Sequence, residues 1–304
     1  MLIHWDDASR SEREKGHLRG TWTLLGEAAG CIGVGLRRIE LPTDGWSTPA
    51  HVHGTEEEIF YVLAGSGLSW HDGLTHEVGP GDCIVHRSNE GPHTFHSASG
   101  IDLLAFGQRA PEEGSHLPRA GVSWLGPSWV PAGGDHPHER EASAGPPELP
   151  ATPSPRPATI VNLEDVEIDE DDRGTIAWVN RNLGKAAGSV KTGLRHEFVP
   201  AGKLGCPPHC HAAEEEIFVV LDGTGTLLLG DEEHEVRPGH VVSRPPGTGV
   251  AHAFRGGPDG ITYLAYGTRE PNDIVYYPRS NKIFFCGVNL IARVEKLDYW
   301  DGED

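Results

Sequence analysis

One pattern of metal-ligand residues occurs twice in this chain. His51-Val-His53 is followed by Glu58 and Gly65, and His209-Cys-His211 is followed by Glu216 and Gly223. Every member of the second set lies 158 positions after its counterpart. The repeat extends outwards: Gly35-Leu36-Arg37 answers to Gly193-Leu194-Arg195, and Glu56 to Phe60 answers to Glu214 to Phe218. Leu104 to Gly107, with Arg109 and Pro111, matches Leu264 to Gly267, Arg269 and Pro271 at an offset of 160, so the second copy has gained two residues. A period this long describes two tandem domains, not a solenoid of short repeats. A length of 304 residues suits two domains.

The runs within each copy are short, β-branched and aromatic. Ile59 to Leu63 and Ile217 to Leu221 have strand length, and each ends in a glycine-containing turn. Asp72-Gly73 and Gly230-Asp231 are hairpin signals. Many short strands at this spacing predict an all-β sandwich or barrel, and no segment sustains a long helical period. Between the copies, Gly126 to Ala158 is rich in proline and small residues and reads as a semi-extended linker. Trp124 and Trp129 at its start are expected to pin it to a domain surface. The tail from Ile274 to Trp300 shows no clear partner in the first copy. Its strand-like runs suit the cover of a sheet edge or a junction with a second subunit, which makes a homodimer an expectation.

Residues two apart on a strand share a face. His51 and His53 therefore project together, as do His209 and His211. Glu58 and Glu216 follow at the head of the next strand, about 4.8 Å away if it is the neighbour. His93 and His252, each from a separate hairpin, would close the sets. The candidate metal ligands are thus His51, His53, Glu58 and His93 in one copy, and His209, His211, Glu216 and His252 in the other. Three imidazoles and a carboxylate hold a divalent transition metal, one per domain; iron, manganese, nickel, copper, cobalt and zinc all suit the set. Glu58 and Glu216 are also candidate bases during turnover. Glu56, Glu57, Glu214 and Glu215 read as solvated hairpin charges, and His76 and His234 as surface residues. His86 and His96 are candidates for lining the first cavity. Cys210 should point away from the face carrying His209 and His211.

The net charge of −20, from 45 acidic and 25 basic residues, argues against nucleic-acid binding. No apolar run is long enough to span a bilayer. The first residues lack the parts of a signal peptide, and five cysteines form no spaced framework. A reduced, cytoplasmic setting is the expectation.

The ligand pattern resembles the first motif of the cupin superfamily: two histidines one residue apart, then a glutamate, then a glycine. Four residues separate His53 from Glu58 and six separate Glu58 from Gly65, and the second copy repeats both spacings. The second cupin motif fits the second domain through Gly239, Pro245, Gly247 and His252; the first domain departs more. The resemblance implies two tandem double-stranded β-helix (jelly-roll) barrels: a domain over 1–125, a linker over 126–158 and a domain over 159–304. It implies metal binding but no single reaction. An oxygenase acting on a small organic substrate is the first expectation. A redox-neutral decarboxylase, lyase or isomerase is the alternative; it would need an arginine clamp, for which Arg37, Arg195, Arg109 and Arg269 are candidates. A non-catalytic binding module is the third. Phe60, Tyr61, Phe95, Phe218, Phe254 and Tyr263 are candidates for shaping the pockets.

Overall fold

A computed structural model describes residues 1–125, 128–130 and 135–303. The strand Glu58–Gly65 lies inside the first sheet, antiparallel to Asp82–His86 on one side and Ile101–Gln108 on the other. Both its faces are apolar because both are covered. Phe60 and Val62 point into the first barrel, among Ile39, Ile84, Phe95 and Leu103. Ile59 and Tyr61 point the other way, into a core shared with the second copy that includes Ile217, Val219, Leu264 and Tyr266. Phe106 and Tyr266 meet across it with ring centroids 5.1 Å apart. Glu216–Leu229 repeats the division, with Phe218 and Val220 facing Phe254 and Tyr263 inside the second barrel.

The first sheet runs from Ile160–Asn162 through Asp82–His86, Glu58–Gly65, Ile101–Gln108 and Val34–Leu41 to Leu18–Thr23. It then curls back through Gly45–Trp46 to His93–Ser97, Gly67–His71 and Leu74–Val78. In the second copy the long strands Glu216–Leu229 and His252–Thr268 shift register near Val220 and Gly223, so each contributes to both walls. The result is two tandem jelly-roll barrels. The motif glycines sit where these strands turn: Gly65 has φ +78° and Gly223 φ +71°, and a Cβ on either would strike the carbonyl oxygen of Gly100 or Gly260. Only glycine meets both conditions.

The two barrels exchange their first strands. Leu2–His4 pairs with His240–Arg244 of the second barrel, and Ile160–Asn162 pairs with Asp82–His86 of the first. The strands are counterparts at the 158-residue offset. The halves of the sequence and the two barrels therefore differ at these segments.

Two carboxylates expected in solvent are buried at this junction. Glu57 is 1% exposed and Glu215 2%. Glu57 accepts hydrogen bonds from the Ser189 hydroxyl at 2.6 Å, the Thr192 hydroxyl at 2.7 Å and the Val190 N–H at 3.0 Å. Glu215 accepts the N–H groups of Ile32, Gly33 and Val34 in return. Each closes the loop of the other copy, which is why it leaves water. Glu56 and Glu214 are half-buried and accept the N–H groups of Ala110 and Glu270. His76 is also buried rather than on the surface, 3.4 Å from the Ser154 carbonyl oxygen; His234, half-buried, meets Glu232.

The proline-rich segment does more than connect. Ser128–Val130 adds a strand beside Val122–Leu125. The helix Pro137–Ala144 lies against the Arg10–Lys15 hairpin, with Glu139 paired to Lys15 and Glu141 to Arg119. The tail, without an evident counterpart in sequence, has one in structure. Ile274–Tyr277, Lys282–Phe285 and Leu290–Arg293 extend Cys210–His211 as Gly114–Leu117, Val122–Leu125 and Ser128–Val130 extend Val52–His53. Backbone pairing is repeated while side chains have diverged, so sequence comparison loses it.

Removing the Glu57 carboxylate strands buried donors, so Glu57→Ala should lower unfolding stability in urea by about 3 kcal/mol. Replacing the exposed Glu112 should change it by less than about 0.5 kcal/mol. Equal effects would show that the junction does not depend on this carboxylate.

Candidate metal centre

The strand ends bring the first ligand set together as its spacing requires. His93 Nε2 lies 3.0 Å from Glu58 Oε2, His53 Nε2 3.2 Å and His51 Nε2 3.7 Å. One donor atom from each of the four fits within a 4.8 Å cluster. In the second barrel His209, Glu216 and His252 meet the same criterion. His252 Nε2 is 3.1 Å and His211 Nε2 3.4 Å from Glu216 Oε2. His211 stands slightly apart, drawn towards Asp273.

The outward ring nitrogens of His51, His53, His209 and His211 are fastened. His51 Nδ1 donates to the Pro49 carbonyl oxygen at 2.9 Å, and His209 Nδ1 to that of Pro207 at 3.0 Å. His53 Nδ1 donates to Glu113 at 3.0 Å and His211 Nδ1 to Asp273 at 2.7 Å. A proton held on Nδ1 leaves the Nε2 lone pair facing the centre, which is the tautomer a metal needs. Glu113 also accepts the N–H groups of Gly54, Thr55 and Glu56, and Asp273 those of Ala212, Ala213 and Glu214. One carboxylate thus fixes both a histidine and the turn leading to the ligand glutamate. The only sequence signal for this pair is position, since each lies two residues beyond the repeated Pro111 or Pro271 and the residue type changes from glutamate to aspartate.

Electrostatics agree with a cation site. Burial disfavours a charged His53, but Glu58 and Glu113 outweigh it and raise its pKa to about 10, so without an ion this ring keeps a second proton on Nε2 that metal binding would displace. Burial would raise the Glu58 pKa, yet the imidazoles of His53, His51 and His93 hold it well below the usual range. Burial lowers both His93 and His209 to about 4, leaving neutral donors. His53 Nε2, His211 Nε2, His252 Nε2 and Glu216 Oε2 are buried without an aligned hydrogen-bond partner. Their close contacts with one another are poorly directed, and a divalent ion in each barrel would satisfy them. The residues therefore fit a metal.

The first cluster floors a cavity of about 350 Å³. Trp22, Ile39, Phe60, Phe95, Leu117 and Trp124 give it an apolar wall; Glu56 and several arginines give it polar groups. Burial pushes the Glu56 carboxyl up to about 7. Trp124 lines this space and also meets His136 of the linker, with ring centroids 6.2 Å apart; the Trp129 side chain lies outside the described residues. His86 and His96 do not line the cavity. His86 stacks flat behind His93 at 3.9 Å, and His96 lies against Trp46. Tyr61 faces the shared core.

The surroundings of the second centre differ. Tyr277, where the first barrel has Leu117, stands 5.8 Å from the His209 ring. The nearby hollow is lined by Asn180, Arg195, Glu197, Cys206 and Pro207, with none of the four candidate ligands. Cys206 Sγ lies 3.6 Å from His209 Nδ1, while Cys210 is buried towards the Tyr276 carbonyl oxygen. Phe218, Phe254 and Tyr263 pack together in the second barrel.

Residues 37–105 and 195–260 both match the cupin domain model. An uncharacterized protein of Methanocaldococcus jannaschii is 37% identical over 59 residues, an alignment spanning 19% of this chain and 46% of that protein. Two structures of Bacillus subtilis oxalate decarboxylase, each 15% identical, align over 90% of this chain and 78% of theirs, with TM-scores of 0.61 and 0.59. The first of these concerns its Mn(II) centres. At this identity the likeness is one of fold.

Asp273→Asn and Glu113→Gln should each weaken metal affinity 10- to 100-fold, roughly, by loosening the histidine they orient. Competition with a chelator measures this, and unchanged affinity in both variants would refute the orienting role.

Proposed function

The chain is a two-domain cupin, and on that footing we propose a metal-dependent enzyme that acts on a small organic molecule in the first-domain cavity. The reaction class we assign is redox-neutral lyase chemistry of the decarboxylase type. The observation that carries the reading is the first ligand set itself. Four donors converge at the floor of a cavity of about 350 Å³, and the outward nitrogens of His51 and His53 are already fastened.

His51, His53, Glu58 and His93 would hold the ion in the first barrel, and His209, His211, Glu216 and His252 in the second. A bound divalent ion supplies Lewis acidity for a substrate oxygen. The protein residues do the remainder. The Pro49 carbonyl and Glu113 keep the Nδ1 protons of His51 and His53 in place, so both rings keep one orientation. Trp22, Phe60 and Phe95 exclude water from the floor. Glu56, anchored through Oε1 by the Ala110 N–H, presents a second carboxyl group to the same space. The oxalate decarboxylases of similar fold support this class, and the Mn(II) named for one of them makes manganese the first metal to assay.

Oxygenase chemistry, the first expectation from sequence, becomes the second reading. The apolar wall favours it, since it suits an uncharged substrate. Oxygen uptake during turnover would select it, whereas turnover without oxygen selects the lyase.

Elemental analysis of untagged protein should find close to two metal ions per chain, with His51→Ala and His209→Ala each losing one. No metal in the wild type, and none taken up on reconstitution, would sink the reading.

A further inference from the structure

We propose that Arg13, Arg37 and Arg109 form an anion-selecting mouth on the first-domain cavity, so that its substrate is a small molecule bearing a carboxylate or phosphate group. This rests on the reading of that cavity as the reaction site and names the substrate class it takes.

The three arginines come from three separate segments yet line one space. Arg13 stands on the Arg10–Lys15 hairpin strand, with its guanidinium 5.0 Å from the Trp22 ring centre. Arg37 lies on Val34–Leu41, opposite Ala105 of the neighbouring strand. Arg109 follows the strand Ile101–Gln108 and runs beside Gly35, its Nε 3.5 Å from where a Cβ there would sit.

Their backbones are bonded, Arg109 through its N–H to the Gly33 carbonyl oxygen, but among the described residues none of the three guanidinium groups makes a hydrogen bond or ion pair. That is unusual here, because acidic residues outnumber basic ones 45 to 25. Elsewhere arginines are taken up: Arg38 by Asp102, Arg87 by Glu90, Arg119 by Glu141 and Arg156 by Asp82. The carboxylates that share the cavity are committed to other groups. Glu58 is held by the histidines and Glu56 by the Ala110 N–H. Burial and then the charge of Arg37 lower the Arg13 pKa, a repulsion that an anion between the two guanidinium groups relieves.

The second barrel makes the same fold without this arrangement. At the 158-residue offset Asp171 stands for Arg13, Asn180 for Trp22 and Glu197 for Ile39. Arg195 remains but faces the Glu197 charge. Arg269, the counterpart of Arg109, donates to the Ser189 carbonyl oxygen. Folding therefore does not require the cationic mouth. Guanidinium groups bind carboxylate and phosphate oxygens in pairs, so both anions suit the site.

The test is calorimetric binding to full-length, metal-loaded protein, with malonate, glycerol 3-phosphate and the neutral malonamide as probes. Metal content is measured on each sample. The wild type should bind one anion per chain, and the Arg13→Gln/Arg37→Gln double variant should lose about tenfold or more in affinity. Arg195→Gln should bind as the wild type does, and metal content should be unchanged in both variants. A preference for malonate identifies a carboxylate substrate, and a preference for glycerol 3-phosphate a phosphate ester. Anions bound no more tightly than malonamide, or equally by the double variant, would overturn the proposal. Protein that takes up no metal on reconstitution yet binds anions through Arg13 and Arg37 would refute the metal-dependent reading and leave the anion site standing.

Discussion

The strand that delivers the ligand glutamate has no solvent face, and much else in the molecule depends on that. Period-two alternation sends Phe60 and Val62 into one barrel and Ile59 and Tyr61 into a core shared by both. The glutamates at its head inherit the same alternation. Glu58 turns towards the histidines, and its neighbour Glu57 turns towards the other domain. The run Glu56-Glu57-Glu58 therefore serves three places at once: a cavity wall, a domain junction and a candidate metal centre. In the second copy Glu215 and Glu216 repeat the junction and ligand positions, and Glu214 accepts the Glu270 N–H.

A candidate metal site built on such strands is rigid in its own right. Glu113 and Asp273 tie the turn between histidine pair and glutamate to the same carboxylate that orients a ring. The ligand positions are thus set by backbone hydrogen bonds and not by the ion alone. Affinity should then depend on residues that never touch the metal.

The fold and the ligand spacing were legible because both rest on local periodicities: same-face histidines, β-branched runs and turn glycines. What the sequence hid was long-range. Glu57 looked like a hairpin charge because its partners, Ser189 and Thr192, lie in the other copy. His76 looked exposed because the segment that covers it, around Ser154, belongs to the proline-rich stretch. The counterpart of the tail escaped because edge strands are specified by backbone pairing, which constrains side chains weakly. Arg13 carried no signal, since its position in the repeat is an aspartate in the second copy.

The exchange of Leu2–His4 and Ile160–Asn162 also bears on how such a chain can have arisen. A single ancestral copy with this geometry could not complete its own sheet. It would leave one edge open and carry a strand fitted to an identical edge elsewhere, which two molecules satisfy by trading. Duplication of the gene would then fuse an already reciprocal pair, turning a symmetry between molecules into one within a molecule. From that point each half could change its cavity independently while the traded strands kept the halves together.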